Sequence, residues 1–319
     1  RFGSGFKYQE QDTSESKNYG PGVIPGVLTD VDDTPYVYMP DTSRTLWYLS
    51  LQDEWNFAPD WEMTTGVRYD HYSDFGSTIN PRMALVWSTR HNLTTKLLYG
   101  RAFRAPSFQE QFADQNPVTL GNPDLDPETI DTLELAFDFR PTFNWQTTLN
   151  LFGYRADGMI DYVHAGGGFN VAQNARDQKG YGFELEASWE ANETVHLSGN
   201  YAWQYSIDCD SDSRIPDAPG QQAYVSVDWR FMPNWAIYSQ LNWIGSRYRA
   251  RDDSRDEIDD YFLLDVTLRR TSLWHNIDLV VKARNLLDEN ALEPSDGQKV
   301  TDDYPLEGRS LWCELRYRF

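Results

Sequence analysis

The chain has 319 residues, among them 12 Trp, 19 Tyr and 16 Phe, and 28 Lys and Arg against 49 Asp and Glu give a formal charge of −21. An aromatic content of 15% excludes a disordered chain, and no run approaches the ~18 apolar residues that a membrane-spanning helix requires. Two cysteines exclude a disulfide scaffold, and the acidic balance excludes nucleic acid as a partner, because neutralising phosphates takes a Lys/Arg excess.

Taken in chain order, period-two alternation predicts about 14 strands, each near or above the ~9–11 residues needed to cross a bilayer when tilted. They fall at 1–10, 44–57, 61–73, 81–89, 93–104, 128–140 and 145–157, then at 179–190, 194–206, 220–231, 235–248, 260–270, 276–288 and 307–319. Leu133, Leu135, Phe137 and Phe139 alternate with Glu134, Ala136, Asp138 and Arg140. The same holds for Tyr181, Phe183, Leu185, Ala187 and Trp189 against Glu184, Glu186 and Ser188. At the end of the chain, Leu311, Cys313, Leu315, Tyr317 and Phe319 alternate with Trp312, Glu314, Arg316 and Arg318. Such strands give a sheet one apolar and one charged face.

A soluble sandwich produces the same alternation, so two further features decide. Tight turns at 58–60, 90–92, 141–144, 190–193 and 232–234 are expected to alternate strictly with long loops at 11–43, 105–127, 164–175, 207–219, 251–259 and 290–306. All tight turns then lie at one end of the sheet, the layout of an outer-membrane barrel. The second feature is aromatic placement. Trp55, Phe57, Trp61, Phe139, Trp145, Trp189, Phe231 and Trp235 bracket the tight turns, where a membrane interface selects half-wet rings. The fold class is all-β, a transmembrane antiparallel β-barrel.

At this point particular segments resemble TonB-dependent outer-membrane receptors. They are residues 48–57 followed by Gly66-Val67-Arg68-Tyr69-Asp70, and Phe103-Arg104-Ala105-Pro106-Ser107 followed by residues 121–128. Residues 180–186, Arg284-Asn285-Leu286-Leu287-Asp288 and 308–319 continue the resemblance in the family's order. It implies a barrel of roughly 22 strands around an N-terminal plug, with a motif before the plug that engages TonB. Neither plug nor TonB-engaging motif is identifiable here, and the chain starts at Arg1 without an apolar leader. Residues 1–319 are therefore expected to be the C-terminal portion of the barrel, with the plug and first strands absent. The terminal Phe319 resembles the signal read by the barrel assembly machinery. The implied partners are outer-membrane lipid, the TonB complex through the missing part, and a small-molecule ligand, first among them a ferric siderophore.

His71, His91, His164, His196 and His275 are scattered without metal-protease spacing, and parity turns His71 away from the lumen shared by Arg68, Asp70 and Tyr72. No enzyme is expected. Charged positions such as Glu134, Asp138, Glu184, Asp228, Lys282 and Arg316 read as a wet or plug-facing wall. The candidate ligand-binding residues are Tyr72, Arg104, Gln204 and Tyr248, which point inward at the loop ends of their strands. Rings and guanidinium groups there suit an anionic iron chelate. Asp208, Asp210 and Asp212 have the alternate spacing of a calcium loop. The glycine and closing glutamate of such a loop are missing, so calcium competes with a solvated acidic loop; no other cofactor is expected. Cys209 falls in a loop and Cys313 on the lipid face, which argues against a disulfide. The competing functional reading is a self-contained 14-stranded passive pore, in which the strand from Arg1 pairs with the one ending at Phe319.

Overall fold

The computed structural model describes residues 1–250, 253–274, 276–295 and 300–318; His275 and Phe319 lie outside them. Fourteen long strands form one antiparallel sheet in which spatial order follows chain order throughout. They are β1 (Phe2–Gln11), β2 (Thr42–Ala58), β3 (Trp61–Tyr72), β4 (Gly76–Arg90), β5 (Leu93–Arg104), β6 (Glu128–Thr142) and β7 (Trp145–His164). The series continues with β8 (Asn170–Asn192), β9 (Val195–Asp208), β10 (Gln221–Met232), β11 (Trp235–Ile244), β12 (Tyr261–Trp274), β13 (Ile277–Arg284) and β14 (Ser310–Tyr317). Among the described residues a single one-turn helix, α1 (Phe108–Phe112), sits in the connection from β5 to β6. No helix among the described residues is long and apolar enough to cross a membrane, which leaves crossing by strands untouched.

Register carries the alternation from strand to strand. Leu97 opposes Leu135, Leu135 opposes Leu151, Leu151 opposes Phe183 and Phe183 opposes Trp203. One face of the sheet is thus a continuous apolar wall. A soluble fold covers such a wall, because burying it is the main favourable term in folding. Here it stays bare: Leu133 and Val225 are more than half exposed, and Leu311 is 74% exposed. Among the described residues the largest fully buried side chains are instead Arg247, Gln111, Val31, Asp70 and Pro106, all but Asp70 in the connections between the long strands. The inversion is what a lipid-facing exterior and a polar interior require.

Aromatic rings form two bands on the bare face. At the tight-turn end Trp55, Phe57 and Trp61 make a chain of contacts, and Trp61 stacks on Trp87 at 4.9 Å. Trp145 meets Trp189, and Phe231 meets both Trp229 and Trp235. At the loop end Trp47 meets Tyr69, Tyr181 stacks on Tyr205, and Trp243 stacks on Phe262. Two girdles flanking an aliphatic band match the two interfaces of a bilayer.

The strict alternation of short and long connections does not hold. β7 and β8 run on through most of the expected 164–175 loop and are joined by residues 165–169 alone. Gly166, Gly167 and Gly168 all have positive φ there, so the chain reverses where a side chain would be strained. β4 begins at Gly76 rather than residue 81, leaving three residues between β3 and β4. Pro81 sits in this strand just before the β4–β5 ladder opens at Arg82 opposite Gly100, where its missing N–H breaks no bond of that ladder. β11 ends at Ile244, so Tyr248 lies in a loop and the parity argument for it fails. The tight turns still share one end.

Among the described residues no ladder joins β1 to β14. Phe2 and Phe6 on β1 are at least 70% exposed, and β14 is exposed on both faces, at Leu315 and at Trp312. The pairing that the self-contained pore requires is not observed among the described residues, where β1 and β14 end the sheet. His71 faces outward as expected, with Nδ1 2.8 Å from Ser77 Oγ and its ring against Trp47. Cys313 lies on the same outward face, opposite Val281, and both cysteines are free.

Candidate ligand site at the loop rim

The loop end of the arc holds three clusters of polar side chains. The first is built on α1. Ser107 caps the helix by accepting from the Glu110 amide at 3.2 Å, while the Glu110 carboxylate accepts from the Ser107 amide at 2.7 Å, a reciprocal capping box. Glu110 and Glu128 both engage the Arg104 guanidinium, whose Nη1 is 2.9 Å from Glu110 and whose Nε is 2.6 Å from Glu128. Beside this knot, buried Arg44 donates to Asp74, to the Pro106 carbonyl and to Gln111, and packs 4.6 Å from the Phe108 ring. Tyr72 stacks on Phe75 at 4.4 Å and meets the edge of Phe103 at 5.9 Å. The structure therefore gathers Tyr72 and Arg104 into one knot, but there Arg104 is already neutralised by two carboxylates.

The second cluster gathers Gln204 and Tyr248. Between them stands Arg214, which the sequence reading passed over. Its guanidinium carbon lies 3.9 Å from the centre of the Tyr205 ring and 4.9 Å from that of Tyr248. Gln204 donates to the Pro219 carbonyl at 3.1 Å, which fixes the loop that carries Arg214. Arg214 forms no ion pair among the described residues, and its Nη1 is buried without a hydrogen-bond partner. A cavity of about 20 Å³, room for roughly one water, is lined by Gln204, Ser206, Arg214 and Tyr248. A guanidinium held flat by two rings with an unsatisfied N–H is an acceptor-seeking group.

The third cluster ties the loops that follow β11 and β13. Arg247, 1% exposed, donates to Glu293 at 2.8 Å and to the Leu292 carbonyl at 2.7 Å. Arg249 and Arg255 share Asp303, and Arg255 also grips Asp253 at 2.6 Å. The Arg255 guanidinium and backbone amide together hold the Asp253 carboxyl down at about 2. Arg249 holds Asp303 below the ordinary carboxylate range in the same way. All the strong donors here are consumed within the clasp.

The calcium expectation meets a different geometry. Asp208 Oδ1 accepts from the Asp210 amide at 3.1 Å and from the Ser211 amide and hydroxyl at 2.8 Å. The alternate acids thus shape a turn. No group of three or more carboxylate, histidine or cysteine side chains able to hold a metal occurs among the described residues. At the opposite end, a groove of about 940 Å³ runs from the tight turns at Asn192 and Asn234 to the inward-facing His196, Asp228, Arg230 and Arg269. Arg269 pairs with Asp228 there.

With this geometry in place, comparison with known proteins identifies the barrel. Residues 1–286 match the family model described as TonB dependent receptor-like, beta-barrel. The chain belongs to this family. It is 26% identical over 304 residues to an iron-regulated outer membrane virulence protein of Vibrio cholerae, covering 87% of this chain and 45% of that one. It is 25% identical over 293 residues to the vitamin B12 transporter BtuB of the same species, covering 88% and 43%. A ferric enterobactin receptor of Pseudomonas aeruginosa, solved in complex with enterobactin, superposes with a TM-score of 0.77 at 18% identity, over 98% of this chain and 51% of that one. At that identity the superposition shows the fold. The chain spans about half the length of the relatives it matches. These relatives are outer-membrane receptors and transporters, not enzymes, and the barrel is an outer-membrane structure.

Proposed function

We propose that this chain is the C-terminal part of the barrel of a receptor that takes up a large, scarce nutrient through TonB, with a ferric siderophore as its cargo. The observation that carries the cargo reading is Arg214, a cation beside inward-facing Gln204 and Ser206 and against the Tyr248 ring, with its other side braced by outward-facing Tyr205 and no carboxylate paired with it among the described residues. Ferric siderophores present anionic or strongly polarised oxygens and, in many cases, flat rings. A guanidinium–tyrosine stack recognises both. The iron-regulated relative and the enterobactin-bound neighbour support the choice, while the B12 transporter shows that the same barrel is used for another cargo. Tyr248 and Gln204 would line this contact directly, and Arg104 and Tyr72 would shape the rim beside it. In the whole receptor the inner wall would face a plug, which TonB would rearrange at the expense of the inner-membrane proton gradient. No bond of the cargo is made or broken by any group at this rim.

The test is uptake and binding by the full-length protein against a panel of ferric chelates, cobalamin and haem. Tight binding of at least one ferric chelate, with uptake abolished when TonB is deleted, is expected. Refusal of every chelate with binding of cobalamin or haem would overturn the cargo. Uptake indifferent to TonB would overturn the receptor reading itself.

A further inference from the structure

The negative charge of the chain is concentrated at one end of the sheet. The connections at the loop end, residues 12–41, 73–75, 105–127, 165–169, 209–220, 245–260 and 285–309, hold 27 Asp and Glu against 8 Lys and Arg, a formal −19. The rest of the chain holds 22 against 20 and is close to neutral. The loops through which a cargo enters are therefore strongly acidic, on strands that are nearly uncharged overall.

Pairing within the loops sharpens the imbalance. Lys17, Arg247, Arg249, Arg255 and Arg309 each pair with a carboxylate, so among the described residues Arg214 is the one loop cation without an ion pair. On its own loop Asp210, Asp212 and Asp217 are exposed and make no ion pair among the described residues, and the same holds for Asp256, Glu257 and Asp259 on the loop of Tyr248. These two loops are sewn together: the Asp217 amide donates to the Tyr248 carbonyl at 2.8 Å, and Pro219 forms a β-bridge with Arg247. One open guanidinium edge thus sits on a pair of loops that carries six unpaired carboxylates.

Net charge and space then act together on the choice of chelate. Fields of exposed charges reach about 10 Å at 0.1 M salt, so the loops act on a cargo before it touches Arg214. A ferric tricatecholate is trianionic and is repelled. A ferric trihydroxamate is neutral, and one with a pendant ammonium is cationic and is attracted. The cavity of about 20 Å³ between Gln204, Ser206, Arg214 and Tyr248 has room for a single oxygen rather than for a catechol ring. The anionic chelate expected from the sequence therefore meets loops of its own sign.

We infer, resting on the ferric-chelate reading above, that the cargo is a ferric trihydroxamate of zero or positive net charge. One of its polarised hydroxamate oxygens accepts from Arg214 Nη1, and the carboxylates of the two loops draw in a pendant ammonium where the chelate has one.

The test is stopped-flow tryptophan quenching of the full-length protein with three probes. They are ferrioxamine B, which carries an ammonium; its N-acetylated form, which keeps the chelate and loses the charge; and ferric enterobactin, a trianionic tricatecholate. Association of ferrioxamine B is expected to slow about tenfold between about 20 mM and about 500 mM salt, and that of the acetylated form less than about twofold. Both should bind at least about a hundredfold more tightly than the tricatecholate. D210N/D212N/D217N, at exposed positions without an ion pair to break, should lower the rate for ferrioxamine B about threefold relative to the acetylated form at low salt. Tricatecholate binding as tight as that of the trihydroxamates would overturn this inference and leave the ferric-chelate reading standing. A ferrioxamine B rate indifferent to salt or to the three substitutions would overturn it as well. Refusal of all three probes with binding of cobalamin or haem would overturn both.

Discussion

Arg214, Arg104 and Arg247 are three guanidinium groups at one rim with three different fates, set by what surrounds each. Arg104 is neutralised by Glu110 and Glu128, Arg247 is buried against Glu293 and Tyr261, and Arg214 packs on two rings with no ion pair among the described residues. R214A in the full-length receptor is therefore expected to weaken ferric-chelate binding by about tenfold, and R104A by much less, as read by tryptophan quenching on titration. Removing Arg247 leaves a void and a partly hydrated Glu293. R247A should cost about 1–3 kcal/mol of local stability, seen as faster amide exchange across residues 285–295 with the strands unaffected. In the clasp, Asp253 is held at about 2 by Arg255. A carboxyl lowered in the folded state stabilises it fully above the unfolded value near 4 and loses that contribution as pH falls through 2. The Asp253 carboxyl carbon should thus titrate near 2 by NMR, and higher in R255A, which keeps the backbone amide but loses the guanidinium. Arg214 was not legible in the sequence because its partners lie 9 residues before it and 34 after it, on no shared strand face. Arg104, by contrast, was found by parity, but parity says nothing of the helix whose Glu110 returns to neutralise it.

At the scale of elements, alternation and turn residues are sufficient for the strands. Thirteen hairpin-type neighbours need only local register, and each expected strand has its counterpart. What alternation misses is length above the membrane. β7 and β8 run 20 and 23 residues, past the expected ends, because residues 158–178 mix apolar and polar side chains on both faces, Met159, Ile160, Tyr162 and Val163 beside Asp161, Asn170 and Gln173, and give no period-two signal. Their pairing is instead held by backbone hydrogen bonds through a register shift near Gly158. Close approach adds a second constraint that composition hides. A Cβ at Gly182 would lie 2.3 Å from the Trp203 carbonyl oxygen and 2.7 Å from the Phe152 ring. G182V should therefore disrupt the β8–β9 ladder and reduce the folded, heat-modifiable fraction in the outer membrane, whereas a Cβ at Gly153 would meet nothing nearer than the Gly180 carbonyl oxygen at 3.8 Å, so G153A should change little.

For the molecule as a whole, the decisive physical fact is the inversion of burial, with a bare aliphatic wall between two aromatic girdles and charged residues on the concave side. Leu135 lies mid-wall, flanked by Leu97 and Leu151, so L135R should cost about 2–4 kcal/mol near the midplane. A136R, one residue on and facing the lumen, should cost little; urea titration of the refolded barrel in lipid separates the two. The wall and its two sides were legible from alternation alone, but whether β1 and β14 pair was not, since strand count and parity are the same for a small closed pore and for part of a larger barrel. The central claim, that this arc is a section of a larger barrel, is tested most directly by disulfide cross-linking of paired cysteine substitutions on β1 and β14 in the full-length protein in outer membranes, with Gly5→Cys and Tyr48→Cys, which oppose each other on β1 and β2, as the positive control. The account predicts efficient cross-linking of the control pair and none between β1 and β14 at any register; a cross-link between these two strands as efficient as the control would contradict it and establish a closed 14-stranded pore.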